Sequence, residues 1–286
     1  MSHGWCSLSP FYLDQSQRRL HRILRLNERA VSVEMMDTGE GAVRLNVQSK
    51  QRLNTGEVKT LREQIASVLR LDESLTEFYC ALAGAADSGK YEWIPKVRAG
   101  RLLRGPDVFE DVVKMMCTTN CAWSATERMV ENLVQKLGTR FDQTRAAFPT
   151  PQELAAAGHG FLVKEIRTGY RSAYLLEFAE NTASGRIDFN RWTGLMEEEL
   201  FKELQSIKGI GPYAAGNLLR LLGHYRHLAL DSWCRPRFSE LYRSGRKVSD
   251  KTIARHYRAY GKWSGLVMWL DLTRDWFDGK QEERPF

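Results

Sequence analysis

Two stretches of this chain hold residues whose types and spacing could do chemistry. In the first, Gly209-Ile210-Gly211 breaks an apolar helical pattern and Pro212 follows. The spacing predicts a helix ending at Lys208, a tight turn, and a second helix opened by Pro212, where a missing N–H costs nothing. Ile210 can plug back against Ile207 and Leu218. The turn, with Tyr213 and Ala214 in the first helical turn beyond it, would aim backbone N–H groups outward. Such a helix start attracts a phosphate oxygen. It reads no base, so it positions and does not specify. A nucleotide-binding loop would need Gly-x-Gly-x-x-Gly after a strand, and a helical pattern precedes this one. A plain helical hairpin stays open. In the second stretch, Asp231 follows the apolar run Leu228-Ala229-Leu230 and precedes Ser232-Trp233-Cys234. Alone, Asp231 reads as an N-cap. A fixed carboxylate can also stabilise a developing positive charge and orient a water. Residues 201–237 hold six Lys/Arg (202, 208, 220, 226, 235, 237) against two acids, Glu203 and Asp231.

The pair changes the reading. A glycine hairpin followed at this distance by an apolar run and an Asp resembles the helix–hairpin–helix–GPD superfamily of DNA glycosylases. The resemblance covers nearly the whole chain. Met116-Cys117-Thr118-Thr119-Asn120 is similar to the segment of eukaryotic 8-oxoguanine glycosylases whose asparagine enters the gap left by a flipped base. Gly169-Tyr170-Arg171 resembles the motif of those enzymes whose Tyr wedges beside the orphan base and whose Arg hydrogen-bonds it. Phe148-Pro149-Thr150-Pro151 and the N-terminal region are similar to the bacterial inducible 3-methyladenine glycosylases. The bland alternatives for Asn120 and for Tyr170 with Arg171 are a helix cap and a surface pair.

The resemblance implies that Asp231 is catalytic and that double-stranded DNA is the partner. Gly209, Ile210, Gly211, Tyr213 and Ala214 would take a DNA phosphate, with a monovalent cation at the hairpin as in relatives and no other cofactor. Members that also cleave the backbone carry a Lys where this chain has Tyr213, and a phenol cannot form a Schiff base. Lys208 precedes the turn and is no substitute. A monofunctional enzyme that uses water is therefore expected. Tyr213, Trp233, Trp263 and Trp269 are the expected aromatic walls of a base pocket, and core packing is the alternative for each tryptophan. Such walls suit alkylated purines, with 3-methyladenine first. Removal of 8-oxoguanine or uracil is the alternative, and a catalytically silent DNA-binding protein is the reading from another class. Ala125 stands nearest to where the 8-oxoguanine enzymes carry a second Arg for the orphan cytosine. Only Cys234 lies where one branch keeps four cysteines for an iron–sulfur cluster, so no cluster is expected.

These residues need elements to position them. Ala30–Met35 and Val43–Val47 alternate apolar and polar around Asp37-Thr38-Gly39-Glu40-Gly41, a predicted hairpin. Asn54 with Glu57, and Ser74 with Glu77, read as capping boxes of two helices. From about residue 92 the pattern is helical, with Pro106 in a first turn, a helix ended by Gly138, and Thr150-Pro151-Gln152-Glu153 opening another. Further helices are predicted over 170–178, 197–207 and 262–277. The expected fold is α+β. Residues 1–90 form a small antiparallel sheet backed by helices, like that of TATA-binding proteins. Residues 91–286 form a mostly helical, two-lobed body with the helix–hairpin–helix at 201–220.

Composition fits this. With 43% hydrophobic residues the chain is globular. Its 42 Lys/Arg against 35 Asp/Glu give +7, which suits a polyanion without requiring one. No run approaches the roughly 18 apolar residues of a membrane span, and the start lacks a secretory pattern, so no membrane partner is expected. The five cysteines read as reduced thiols, with Cys117 and Cys121 as core residues, and no metal site is expected. A monomer in the cytoplasm and nucleoid of a bacterium, or in a eukaryotic nucleus, is the expected setting.

Overall fold

The computed structural model describes residues 4–39, 41–85 and 87–277. A four-stranded antiparallel sheet comes first, in the order β1-β2-β3-β4. Its strands are β1 Phe11–Asp14, β2 Arg19–Leu26, β3 Arg29–Asp37 and β4 Val43–Gln48. Helices follow: α1 Thr55–Leu69, α2 Thr76–Ala83, α3 Ser88–Tyr91, α4 Trp93–Lys96, α5 Val108–Thr118, α6 Trp123–Leu137, α7 Pro151–Phe161 and α8 Arg171–Ala183. Then come α9 Glu197–Ser206, α10 Pro212–Leu221, α11 Cys234–Arg243, α12 Asp250–Tyr257 and α13 Ser264–Leu272. This is the expected α+β order of a small sheet followed by a mostly helical body. Among the described residues, no helix is long and apolar enough to cross a membrane, and no three of His, Cys, Asp and Glu gather as a metal set.

The chain divides into two compact units, neither of them continuous in sequence. One joins His3–Val68 to Arg104–Thr193, and the other joins Leu69–Leu103 to Gly194–Phe286. In the first unit the sheet and α5 share a buried charge cluster. Arg22 on β2 bonds Glu110 on α5, and Lys114 sits 2.7 Å from the same carboxylate. All three are at most 1% exposed.

That cluster explains why β2 was not foreseen. Its sequence Arg-Leu-His-Arg-Ile-Leu-Arg-Leu carries arginines where a strand pattern wants apolar residues. Arg22 is buried because Glu110, far along the chain, meets it. β1 has only four residues and pairs with β2 from Phe11↔Arg22 to Asp14↔Arg19. The β3–β4 hairpin is present, with Asp37 opposite Val43, and Glu40 of its turn lies outside the described residues.

Local chemistry sets several helix starts. The box at α1 forms both ways, Glu57 N to Asn54 Oδ1 and Asn54 N to Glu57 Oε2, each 2.9 Å. Thr150 and Glu153 do the same for α7. Two starts differ from expectation. α2 begins at Thr76 after Leu75, with no side-chain cap, so Ser74 and Glu77 form no box. Pro106 lies ahead of α5, and Asp107 is the cap, accepting from Glu110 N at 2.9 Å.

Candidate active site and nucleic-acid interface

The hairpin lies in the second unit. α9 buries Leu200 and Leu204 and ends at Ser206, two residues earlier than expected. Ile210 N donates to Ile207 O at 3.0 Å, closing the turn. Gly209 has φ 89, a left-handed conformation that favours glycine. Ile210 is buried with Ile207 and Leu218, as the plug predicted. Gly211 is exposed, and Pro212 opens α10. The first helical bond there runs from Ala215 N to Gly211 O. The N–H groups of Tyr213 and Ala214 precede it, so they are orphan donors of a helix start. Ala214 turns its side chain inward. Residues 207–211 carry no carboxylate. Backbone carbonyls of such a turn are a donor set that fits a weakly held monovalent cation.

Asp231 is half-buried at the head of α11. Its Oδ1 accepts from Trp233 N at 3.0 Å and Cys234 N at 2.6 Å, so it caps the helix. The Tyr213 side chain and the Cys234 thiol lie near this carboxylate, close enough for its charge to act on both. Burial, with Asp231 beside it, raises the Tyr213 pKa above the ordinary tyrosine value, so Tyr213 stays a donor. Burial likewise raises the Cys234 thiol. The first turn of α10 thereby stands near the side chain that heads α11.

Trp233 and Trp269 come together, ring centroids 6.1 Å apart. Trp276 joins them at 5.6 Å from Trp233 and 5.8 Å from Trp269. Trp263 does not join. It packs against Phe78 and Tyr225, at 5.2 and 5.3 Å. Two further residues were not foreseen. Trp276 follows α13 in a short turn, and only the tertiary fold brings it to Trp233. Arg220, counted above among the basic surround, is 3% exposed. Its guanidinium lies 5.1 Å from the Trp269 ring centre and bonds Leu228 O at 3.2 Å. Burial pulls its pKa below the ordinary arginine value, against the pull of Cys234, Tyr213 and Asp231. The available signal was one arginine inside the run Leu218-Leu219-Arg220-Leu221.

The strap between α10 and Asp231 is tied to α13. Gly265 N donates to Tyr225 O at 2.6 Å. A Cβ on Gly265 would stand 2.0 Å from His227 O, so only glycine admits this approach.

In the first unit, Asn120 and Tyr170 meet. Asn120 Nδ2 lies 3.4 Å from Tyr170 Oη, and Asn120 has φ 49, which Asn tolerates better than most residues. Tyr170 is 55% exposed. Arg171 is buried; its guanidinium lies 4.5 Å from the Tyr170 ring centre and bonds Thr119 O. It braces the Asn120 loop, and its Nε has no hydrogen-bond partner among the described residues. Ala125 lies in the first turns of α6.

No family model matches the sequence. Over 181 residues the chain is 23% identical to the N-glycosylase/DNA lyase of Saccharomyces cerevisiae, a match covering 56% of this chain and 46% of that relative. The chain thus spans less than half of that relative's length. Among solved structures it is similar to the 3-methyladenine DNA glycosylase of Archaeoglobus fulgidus, with a TM-score of 0.72, 20% identity, and coverage of 96% of this chain and 92% of that one. It is also similar to the 8-oxoguanine glycosylase/lyase of Clostridium acetobutylicum in complex with double-stranded DNA, with a TM-score of 0.70, 19% identity and coverage of 96% and 91%. A small sheet, a helical body and a glycine hairpin leading to a capping aspartate give this chain the fold of the helix–hairpin–helix DNA glycosylases.

Proposed function

We propose that the protein is a monofunctional DNA glycosylase of base excision repair that removes a flipped, damaged purine, an alkylated purine such as 3-methyladenine first. The observation that carries the reading is the anchoring of Asp231 by two backbone N–H groups at the head of α11, with Tyr213 of the hairpin beside it. The hairpin would grip a phosphate, and the carboxylate would stand beside the sugar of the extruded nucleotide. Flipping costs a few kcal/mol, least for damaged or mispaired bases. Asn120 and Tyr170 are assigned to the gap the base leaves.

As the bond from C1′ to the base nitrogen breaks, its electron pair leaves with the base and positive charge builds on the sugar. Asp231 stabilises that charge and orients the water that adds to C1′. Glycoside hydrolases follow the same logic with two carboxylates. Trp233, half-buried, would give the base a face to stack on, with the buried Trp269 packed beside it, and electron-poor alkylated purines stack well on such rings. A cation at the hairpin, when bound, would help neutralise the gripped phosphate.

The relatives' names divide between 3-methyladenine and 8-oxoguanine, and two of them include a lyase. Tyr213 argues against a lyase here, because no amine stands at its position. The adjacency of Asn120 and Tyr170 favours 8-oxoguanine as the second reading. The test is a panel of duplexes carrying 3-methyladenine, hypoxanthine, 8-oxoguanine or uracil, with alkali cleavage and borohydride trapping. Alkali-dependent breaks at an alkylated purine with no trapped complex are expected. Silence on all four duplexes defeats the enzyme reading, and a trapped complex defeats the monofunctional one.

A further inference from the structure

One charged surface beyond the hairpin is unaccounted for. α12 buries Ile253 and Tyr257 on one face. Lys251 and Arg255 on α12 and Arg258, which follows its last residue in helical conformation, are four and three residues apart, so they share the opposite face. All three are exposed. None has an ion-pair partner among the described residues, unlike Arg235, Arg237 and Lys262 of the same region. The stripe is tied to the catalytic end of the unit. Arg235, in the first turn of α11, grips Asp250 with two bonds of 2.8 and 3.0 Å. Asp250 begins α12 and Asp231 caps α11, so the stripe starts beside the head that carries Asp231 and runs away from it.

Seven residues of helix cover about 10 Å at about 1.5 Å each. Phosphates on one strand of a duplex succeed each other every 3.4 Å or so along the axis, so the stripe spans about three. Exposed, unpaired cations at that length give up little hydration until a polyanion arrives, and then release its counterions. We propose that Lys251, Arg255 and Arg258 form a second DNA-backbone contact, gripping the strand that flanks the nucleotide held at Asp231. This rests on the glycosylase reading and extends its footprint from the hairpin to α12. The contact reads no base, so it adds affinity and register rather than lesion choice.

The test uses the full chain, an undamaged duplex and fluorescence anisotropy from 50 to 200 mM salt. The triple variant Lys251→Gln, Arg255→Gln, Arg258→Gln is compared with a control, Lys50→Gln, Arg52→Gln, Arg62→Gln, that removes the same charge from exposed sites in the other unit. Each lost phosphate contact lowers the slope of log K against log salt by about 0.9. The α12 variant should lose about two to three units of slope, and the control none. Arg255→Lys with Arg258→Lys should keep the slope. An unchanged slope in the α12 variant, or equal losses in both triples, overturns the second contact and leaves the glycosylase reading intact. A wild-type chain that binds no duplex at 50 mM salt sinks both.

Discussion

Asp231 shows how one side chain can satisfy two readings. Its cap bonds are real, and they are also what a catalytic carboxylate needs, since they fix its direction before substrate arrives. Asn caps a helix about as well as Asp does. Asp231→Asn should therefore keep the melting temperature while base release falls about a hundredfold or more. Single-turnover rates and a thermal melt check this together; undiminished rates would leave Asp231 as a cap alone. Tyr213 is the second decisive residue. Tyr213→Lys puts an amine beside Asp231, and a borohydride-trapped complex absent from the wild type should appear. Arg220 and Trp276 escaped notice at this scale because a buried cation and a remote ring gain meaning only from neighbours distant in sequence.

Among the elements, the hairpin was legible because its constraints are local. Glycine, an apolar plug and proline each have a conformational reason to be where they are. Start signals were less uniform. Asn54 and Thr150 form their boxes, whereas Ser74 does not, because the chain enters α2 at Leu75. The strap at Gly265 could not be foreseen, since its partner is a backbone carbonyl reached only in the folded chain. Gly265→Ala forces that carbonyl away and should cost about 1–3 kcal/mol or more. A lowered denaturation midpoint is expected, with weaker base release from displacement of the strap that leads to Asp231. A midpoint equal to wild type would mean the strap yields freely.

For the whole molecule, buried ionisable groups set the limits of stability. Glu110 sits between Arg22 and Lys114. Burial raises its pKa, the two cations pull it down, and the net shift is downward. Glu110→Gln leaves both cations buried and unpaired, at a cost of about 3–5 kcal/mol, readable as a large drop in melting temperature. At the alkaline end, burial holds Tyr91, Tyr225 and Tyr257 above the ordinary tyrosine range. The unfolded chain would release those protons from about pH 10, while the folded chain keeps them. Stability present below that pH is therefore lost above it. Tyrosinate absorbance from these three should rise only together with loss of near-UV dichroism. An earlier rise, in a chain still folded, would contradict their burial.

By itself the sequence determined the elements governed by nearest neighbours: the β3–β4 hairpin, the capped starts of α1 and α7, the glycine turn and the aspartate beyond it. Those follow from dihedral preference, capping and periodicity, which act over a few residues. The tertiary structure alone decided that an arginine-rich segment is an inner strand, that Trp276 rather than Trp263 meets Trp233 and Trp269, and that each compact unit is assembled from separated stretches of chain. In each case the deciding energy is a pairing between residues far apart along the chain, an ion pair, a ring contact or a backbone approach, and no local pattern encodes it.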